Sequence, residues 1–103
     1  MKHYLTRAQM RELSEIGIDT LQLATHECTE NGITYFSLSI GDLIEMIPKT
    51  INVNGKILSL IVWSSFLGNW GVTYDYNPIY KSFGELIDAL FDMFVRLKKE
   101  EKI

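Results

Sequence analysis

The 103-residue chain carries 10 basic and 13 acidic side chains, for a net charge of −3, and is 47% hydrophobic. That balance excludes a disordered tail and gives one domain, residues 1–103, with a core of its own. It also lacks the basic footprint of a nucleic-acid-binding domain, and a lone cysteine, Cys28, rules out an internal disulfide.

The opening residues from Met1 to Arg7 have no apolar stretch of the kind a secretory leader needs, and no later run approaches a membrane span. A cytoplasmic protein with no membrane partner is expected. Thr6 and Gln9 form a capping box, each side chain able to satisfy an orphan amide of the first helical turn. The helix they open runs to about Ile16, with Met10, Leu13 and Ile16 on its buried side, and Gly17 ends it. Ile18 to Leu23 has no clear period and is expected to connect.

Residues from Ala24 to Thr29 and from Ile33 to Leu38, either side of Glu30-Asn31-Gly32, predict a β-hairpin. A three-residue loop with Gly32 in the left-handed region sets Ala24, His26 and Cys28 on the face of Thr34, Phe36 and Leu38. A two-residue Asn31-Gly32 turn would set Glu27 opposite Phe36 and leave that ring less buried, so the first register is expected. Ser39 then caps a short helix, Ile40 to Ile47, stopped by Pro48.

Beyond the proline, Asn54-Gly55 predicts a type I′ hairpin that places Ile51 opposite Leu58. Its second strand, Lys56 to Trp63, is apolar on both faces. Leu58, Leu60 and Val62 look one way; Ile57, Ile61 and Trp63 look the other. Such a strand is covered on both sides, or its second face meets a partner. A loop carrying Phe66 and Leu67 leads to an alternating strand from Trp70 to Tyr76. Tight closure of that loop sets Trp63 across from Trp70, Ile61 from Val72 and Ser59 from Tyr74. The result would be an aromatic face of Trp63, Trp70, Tyr74, Tyr76 and Tyr80. Asn77-Pro78 predicts a turn, and residues 79–81 a short final strand.

The last stretch, from Ser82 to Glu101, is the strongest helix signal. Ser82 and Glu85 have capping-box spacing, and Leu86, Ile87, Leu90, Phe91, Met93, Phe94, Val95 and Leu97 form an apolar arc far wider than an ordinary surface helix shows. Phe91 and Val95, beside the polar strip of Asp88, Asp92 and Arg96, are where an uncovered helix would first meet a second chain.

The expected fold is therefore α+β: an antiparallel sheet of about five strands with a long C-terminal helix and two short helices, in the order α-β-β-α-β-β-β-α. His26 and Cys28 share a strand face, which permits a thiolate–imidazole pair. The same register turns both inward, where a thiol is inert. Soft ligands are too few for a zinc site, and no motif marks a catalytic residue or a cofactor. The surplus of apolar surface instead predicts a non-enzymatic interaction module that self-associates, as a homodimer, or docks on a protein partner. Trp63, Phe66, Leu67, Trp70, Tyr74, Phe91 and Val95 are its candidate contacts. The alternative is a small ligand or carbohydrate stacked on the aromatic face.

Three stretches together resemble small uncharacterised proteins of gut anaerobic bacteria, often encoded near prophage or mobile elements. They are Leu5-Thr-Arg-Ala-Gln-Met-Arg-Glu-Leu13 with Gly17-Ile-Asp-Thr20, then Asp42-Leu-Ile-Glu-Met-Ile-Pro-Lys-Thr-Ile51, then Glu85-Leu-Ile-Asp-Ala-Leu-Phe91. The resemblance implies an accessory role for such elements and carries over no activity.

Overall fold

A computed structural model describes residues 2–65, 68–75, 77 and 79–103. The elements in order are α1 (Arg7–Glu15), α2 (Thr20–Leu23), β1 (His26–Glu30), β2 (Ile33–Ser37), α3 (Ile40–Met46), β3 (Thr50–Val53), β4 (Lys56–Ser64), β5 (Trp70–Tyr74), β6 (Lys81–Gly84) and α4 (Leu86–Lys99). The class is α+β with antiparallel pairing, as expected, but the described residues form six strands in two sheets, β1-β2 and β3-β4-β5-β6. The added strand is β6, which takes residues expected at the start of the last helix, and the hairpin β1-β2 stands as a sheet of its own; a further short helix, α2, forms within the stretch expected to connect. Among the described residues no helix is long and apolar enough to cross a membrane.

Local chemistry explains the helix starts. Thr6 Oγ1 accepts from the Gln9 amide while Gln9 Oε1 accepts from the Thr6 amide, and Ser39 and Asp42 repeat the arrangement at α3. The third expected box does not form. Ser82 pairs with Val72 in the sheet and is buried, so α4 begins after Glu85 with no side-chain cap. Sheet pairing and burial of the adjoining strand outweigh a cap worth ~1 kcal/mol.

Both tight hairpins are set by Asn-Gly turns with positive φ at both positions: 52° and 77° at Asn31-Gly32, 53° and 84° at Asn54-Gly55. The second puts Ile51 opposite Leu58, as expected. The first adopts the two-residue turn, with Glu27 opposite Phe36 and Cys28 opposite Tyr35. This corrects the expected register, in which Phe36 is buried; the ring instead lies on the hairpin's outer side, 59% exposed.

β4 is shared end to end. Residues 56–59 pair with β3 and 60–64 with β5. The handover is held by Leu60 N–H donating to Lys49 O at 2.8 Å and Asp75 N–H donating to Ser59 O at 3.0 Å. β6 completes a meander in which every strand pairs with its sequence neighbour. α4 lies along β5 and β6, with α3 against it. Ile51, Leu58, Val72 and Tyr74 supply the sheet side of the core, and Leu5, Met10, Leu13 and Leu43 close it from other directions. The wide apolar arc of α4 is thus covered within one chain. Each large side chain buried this way contributes roughly 1.5–3 kcal/mol.

The N-terminal segment is tied to β2 and the start of α3. Leu5 N–H donates to Leu38 O, and Ile40 N–H donates to His3 O. Leu5 O also accepts from the hydroxyls of Tyr35 and Ser37 at 2.9 and 2.8 Å.

Candidate interaction surface

Strand alternation divides the four-stranded sheet into two faces. One carries Leu58, Leu60, Val62, Trp70, Val72, Tyr74 and Ser82 and meets the helices. The other, by the same registers, carries Thr50, Asn52, Ile57, Ser59, Ile61, Trp63, Gly71, Thr73, Lys81 and Phe83. None of these ten residues belongs to the hydrophobic core. The molecule measures only 17 Å in its thinnest direction, the depth of one sheet under one layer of helices. The second face therefore looks outward.

Towards one end of it an aromatic row runs across three strands. Trp63 on β4, Gly71 on β5 and Phe83 on β6 are mutual register partners. The indole lies across Gly71: a Cβ there would sit 2.8 Å from Nε1 and 2.5 Å from Cζ2. Gly71 is absent from the positive-φ positions, so it is required by the indole and not by its backbone angles. The indole meets Phe83 edge-on, with ring centroids 5.6 Å apart and planes at 72°, the geometry that aromatic quadrupoles prefer. Lys81 Nζ stands 5.9 Å from the Phe83 centroid, within cation–π range. Ile57 is 67% exposed and Phe83 55%. Thr73 lies between Ile61 and Lys81 in the adjoining row; it is buried, and its hydroxyl has no hydrogen-bond partner among the described residues.

The two outer edges of this sheet are each met by a cation from the C-terminal segment. Arg96 donates to Ile79 O at 2.7 Å and to Lys81 O at 2.9 Å, beside β6. Lys102 Nζ donates to Asn52 O at 3.1 Å, beside β3. Edge carbonyls occupied by a charged side chain are poor templates for an added strand.

The structure separates the residues singled out from sequence. Trp63 lies on the outward face, half-buried. Trp70 and Tyr74 lie on the opposite face, because β4 and β5 pair one residue away from the expected register: Ser64 faces Trp70, and Trp63 faces Gly71. A slip of one residue turns a side chain to the other side of a sheet, so the composite aromatic face does not form. Tyr74 is fully buried, its hydroxyl donating to Pro48 O at 2.7 Å, and burial pushes the phenol well above its usual range. Phe91 and Val95 are 5% and 7% exposed, packed in the core of the same chain, and do not offer a surface. The expectations attached to Phe66, Leu67, Tyr76 and Pro78 lie outside the described residues. Ile57, Gly71, Lys81 and Phe83 were absent from the sequence candidates. The two-faced pattern of β4 points to Ile57; nothing local points to Phe83, because Ser82 and Glu85 around it carry the spacing of a helix start.

The hairpin offers less for chemistry. His26 and Cys28 share its inner side with Tyr35 and Ser37, but the imidazole is engaged elsewhere. His26 Nε2 lies 3.3 Å from Asp42 Oδ2, and Tyr4 packs on the ring at 5.2 Å. Burial, then the nearby Cys28 and Glu30, raise the Tyr35 phenol. Among the described residues no three His, Cys, Asp or Glu side chains are grouped to hold a metal ion. A separate shallow groove of about 330 Å³ lies between Met10, Arg11, Leu21 and Phe36.

Comparison with protein-family models, with curated proteins and with solved structures finds no match.

Proposed function

We propose that this chain is a non-enzymatic interaction module that docks another protein chain on the outward face of its four-stranded sheet. The observation that carries this reading is that Ile57 and Phe83 stand exposed on that face, with Ile61 and Trp63 half-buried beside them, while the apolar arc of α4 is covered by its own chain. Exposed aromatic and aliphatic side chains gathered on one face are the composition of an interface centre. Trp63 is its natural anchor, already held in place by Gly71 and Phe83 and so losing little freedom on binding. Carbohydrate stacking is the weaker reading, since Trp63 and Trp70 do not stand side by side.

The test is site-specific photo-cross-linking in the expressing cell, with a benzophenone side chain in place of Phe83 or, as control, Lys99 on the exposed side of α4. A discrete protein adduct, identified by mass spectrometry, is expected from position 83 and should disappear when Ile57→Lys is added. Adducts of equal yield from position 99, or none from position 83, would refute the reading.

A further inference from the structure

We infer that Asn31 is a site of spontaneous modification. Its side-chain amide converts to aspartate and isoaspartate through a cyclic imide formed with Gly32, while Asn54, in a turn of the same kind, is held back from the same reaction.

The chain contains two Asn-Gly pairs, Asn31-Gly32 and Asn54-Gly55. Glycine after asparagine favours imide formation, because no side chain hinders the approach of its amide nitrogen to the asparagine Cγ. The Gly32 nitrogen, giving its proton to water, bonds to Cγ of Asn31. The Cγ–Nδ2 bond breaks, and Nδ2 takes up a proton and leaves as ammonia. Water then opens the imide at one of its two carbonyls, giving aspartate or isoaspartate. Water enters and ammonia departs; no oxidant, reductant or enzyme is required.

The two turns differ in what holds the attacking amide. Both are exposed, both close two-residue hairpins, and both have positive φ at each turn residue. Gly55 N–H donates to Asn52 Oδ1 at 2.9 Å. Asn52 is fixed in turn through its own carbonyl, which accepts from Lys102 Nζ at 3.1 Å. The matching residue, two places before the other asparagine, is Thr29, and among the described residues Gly32 N–H has no acceptor. Imide closure swings the glycine amide onto the side chain of its own asparagine. At Asn54 that swing breaks a hydrogen bond, and at Asn31 it breaks none. One net hydrogen bond separates the rates by about fivefold. The surroundings act in the same direction, since β1-β2 is a two-stranded sheet and β3-β4 belongs to a four-stranded one.

The product bears on the hairpin. Aspartate at 31 adds a negative charge beside Glu30, whose carboxylate accepts from Arg7 N–H at 3.2 Å. Isoaspartate routes the main chain through the former side chain and so lengthens a turn whose geometry allows two residues. The Glu30–Ile33 pairing that closes the hairpin no longer fits, and β1 and β2 part from the turn inward.

Peptide mapping by mass spectrometry of the full chain, aged in mildly alkaline buffer at physiological temperature, tests this. Electron-transfer fragmentation distinguishes aspartate from isoaspartate at each site. Asn31 should convert about fivefold faster than Asn54, and in concentrated urea the two rates should converge. Asn52→Ala should raise the Asn54 rate about fivefold and leave Asn31 unchanged. Asn52→Asp keeps the acceptor oxygen and should keep the protection, which separates loss of the hydrogen bond from a general loosening of β3. Equal rates in the folded chain, a faster Asn54, or a difference that persists in urea would overturn the inference. So would protection of Asn54 that survives Asn52→Ala, or that Asn52→Asp abolishes equally.

Discussion

Gly71→Ala is the sharpest probe of how the outward face is built. An alanine Cβ would fall 2.5 Å from Cζ2 and 2.8 Å from Nε1 of the Trp63 indole, well inside contact distance. The backbone at 71 is ordinary strand, where alanine is preferred to glycine by ~0.5–1 kcal/mol. Overpacking costs ~1–3 kcal/mol, and here it would be relieved by swinging the indole off the sheet, away from Phe83. The net effect is a loss of ~1–2 kcal/mol when Trp63 is present, changing to a gain of ~0.5–1 kcal/mol when Trp63 is already alanine. Urea unfolding of the wild type, both single variants and the double variant measures the coupling, which should lie near 2 kcal/mol. Protein at ~1 μM keeps any dimer contribution out of the balance. In a Trp70→Phe background, Gly71→Ala should also shift the remaining indole emission to longer wavelength. If Gly71→Ala has the same effect with and without Trp63, the indole does not rest on Gly71 and the proposed anchor is wrong.

Thr73→Val removes a buried hydroxyl that has no partner among the described residues and should stabilise the fold by ~1 kcal/mol in the same urea assay. A loss of that size would mean the hydroxyl is satisfied. At Asp88, burial alone would raise the carboxyl, but Lys2 Nζ and Gln9 Nε2, each 2.8 Å away, bring it below its usual range. Its stabilising effect is therefore present above the unfolded value and lost as pH falls through the folded one. Asp88→Asn should cost ~0.5 kcal/mol or less at pH 7, given the exposure of the pair, and nothing in strong acid. Asp92 is raised by burial and then by Asp88, so the sign reverses. Asp92→Asn should stabilise at pH 7, and the gain should fade as pH drops below the unfolded carboxylate range. Thermal melts across pH 2–8 check both, to be read at about that range because it spans the carboxylates. Arg96→Met deprives Ile79 O and Lys81 O of their donor. It should lower stability by ~1 kcal/mol and increase light scattering on storage, because the β6 edge is then uncapped; scattering no greater than wild type would mean the guanidinium has no protective role.

What was legible in the sequence was whatever local chemistry decides. Thr6, Ser39, Gly17, Asn54-Gly55 and the alternation in β4 each act within a few residues, and each was read as it stands in the structure. What was missed depended on distant parts of the chain. Ser82 has the spacing of a cap, but residues 70–73 claim its segment for the sheet. Phe36 faces inward only if the hairpin's register follows burial of its ring; the turn chemistry of Asn31-Gly32 decides otherwise. The β4–β5 register turned on one residue of a loop, and that one residue decided which side of the sheet Trp63 and Trp70 occupy. The outward face was half visible in Ile57, Ile61 and Trp63, yet Phe83 and Gly71 join it only through pairings that span the sheet.

The neighbour-to-neighbour order of the strands has a kinetic consequence. No pairing within either sheet requires the chain to close a long loop before a contact rewards it, so the cost of loop closure is met in small steps. The hairpin at Asn54-Gly55 can form within ~1–10 μs, the usual time for such turns, and present β4 as a template on which residues 70–74 and then 81–84 add in sequence. The slow event should be the docking of α4, which brings the Leu86–Leu97 arc onto the sheet. Until it arrives, Arg96 and Lys102 are not yet in place, and the unguarded strand edges make the interval before docking the chain's period of greatest exposure to aggregation.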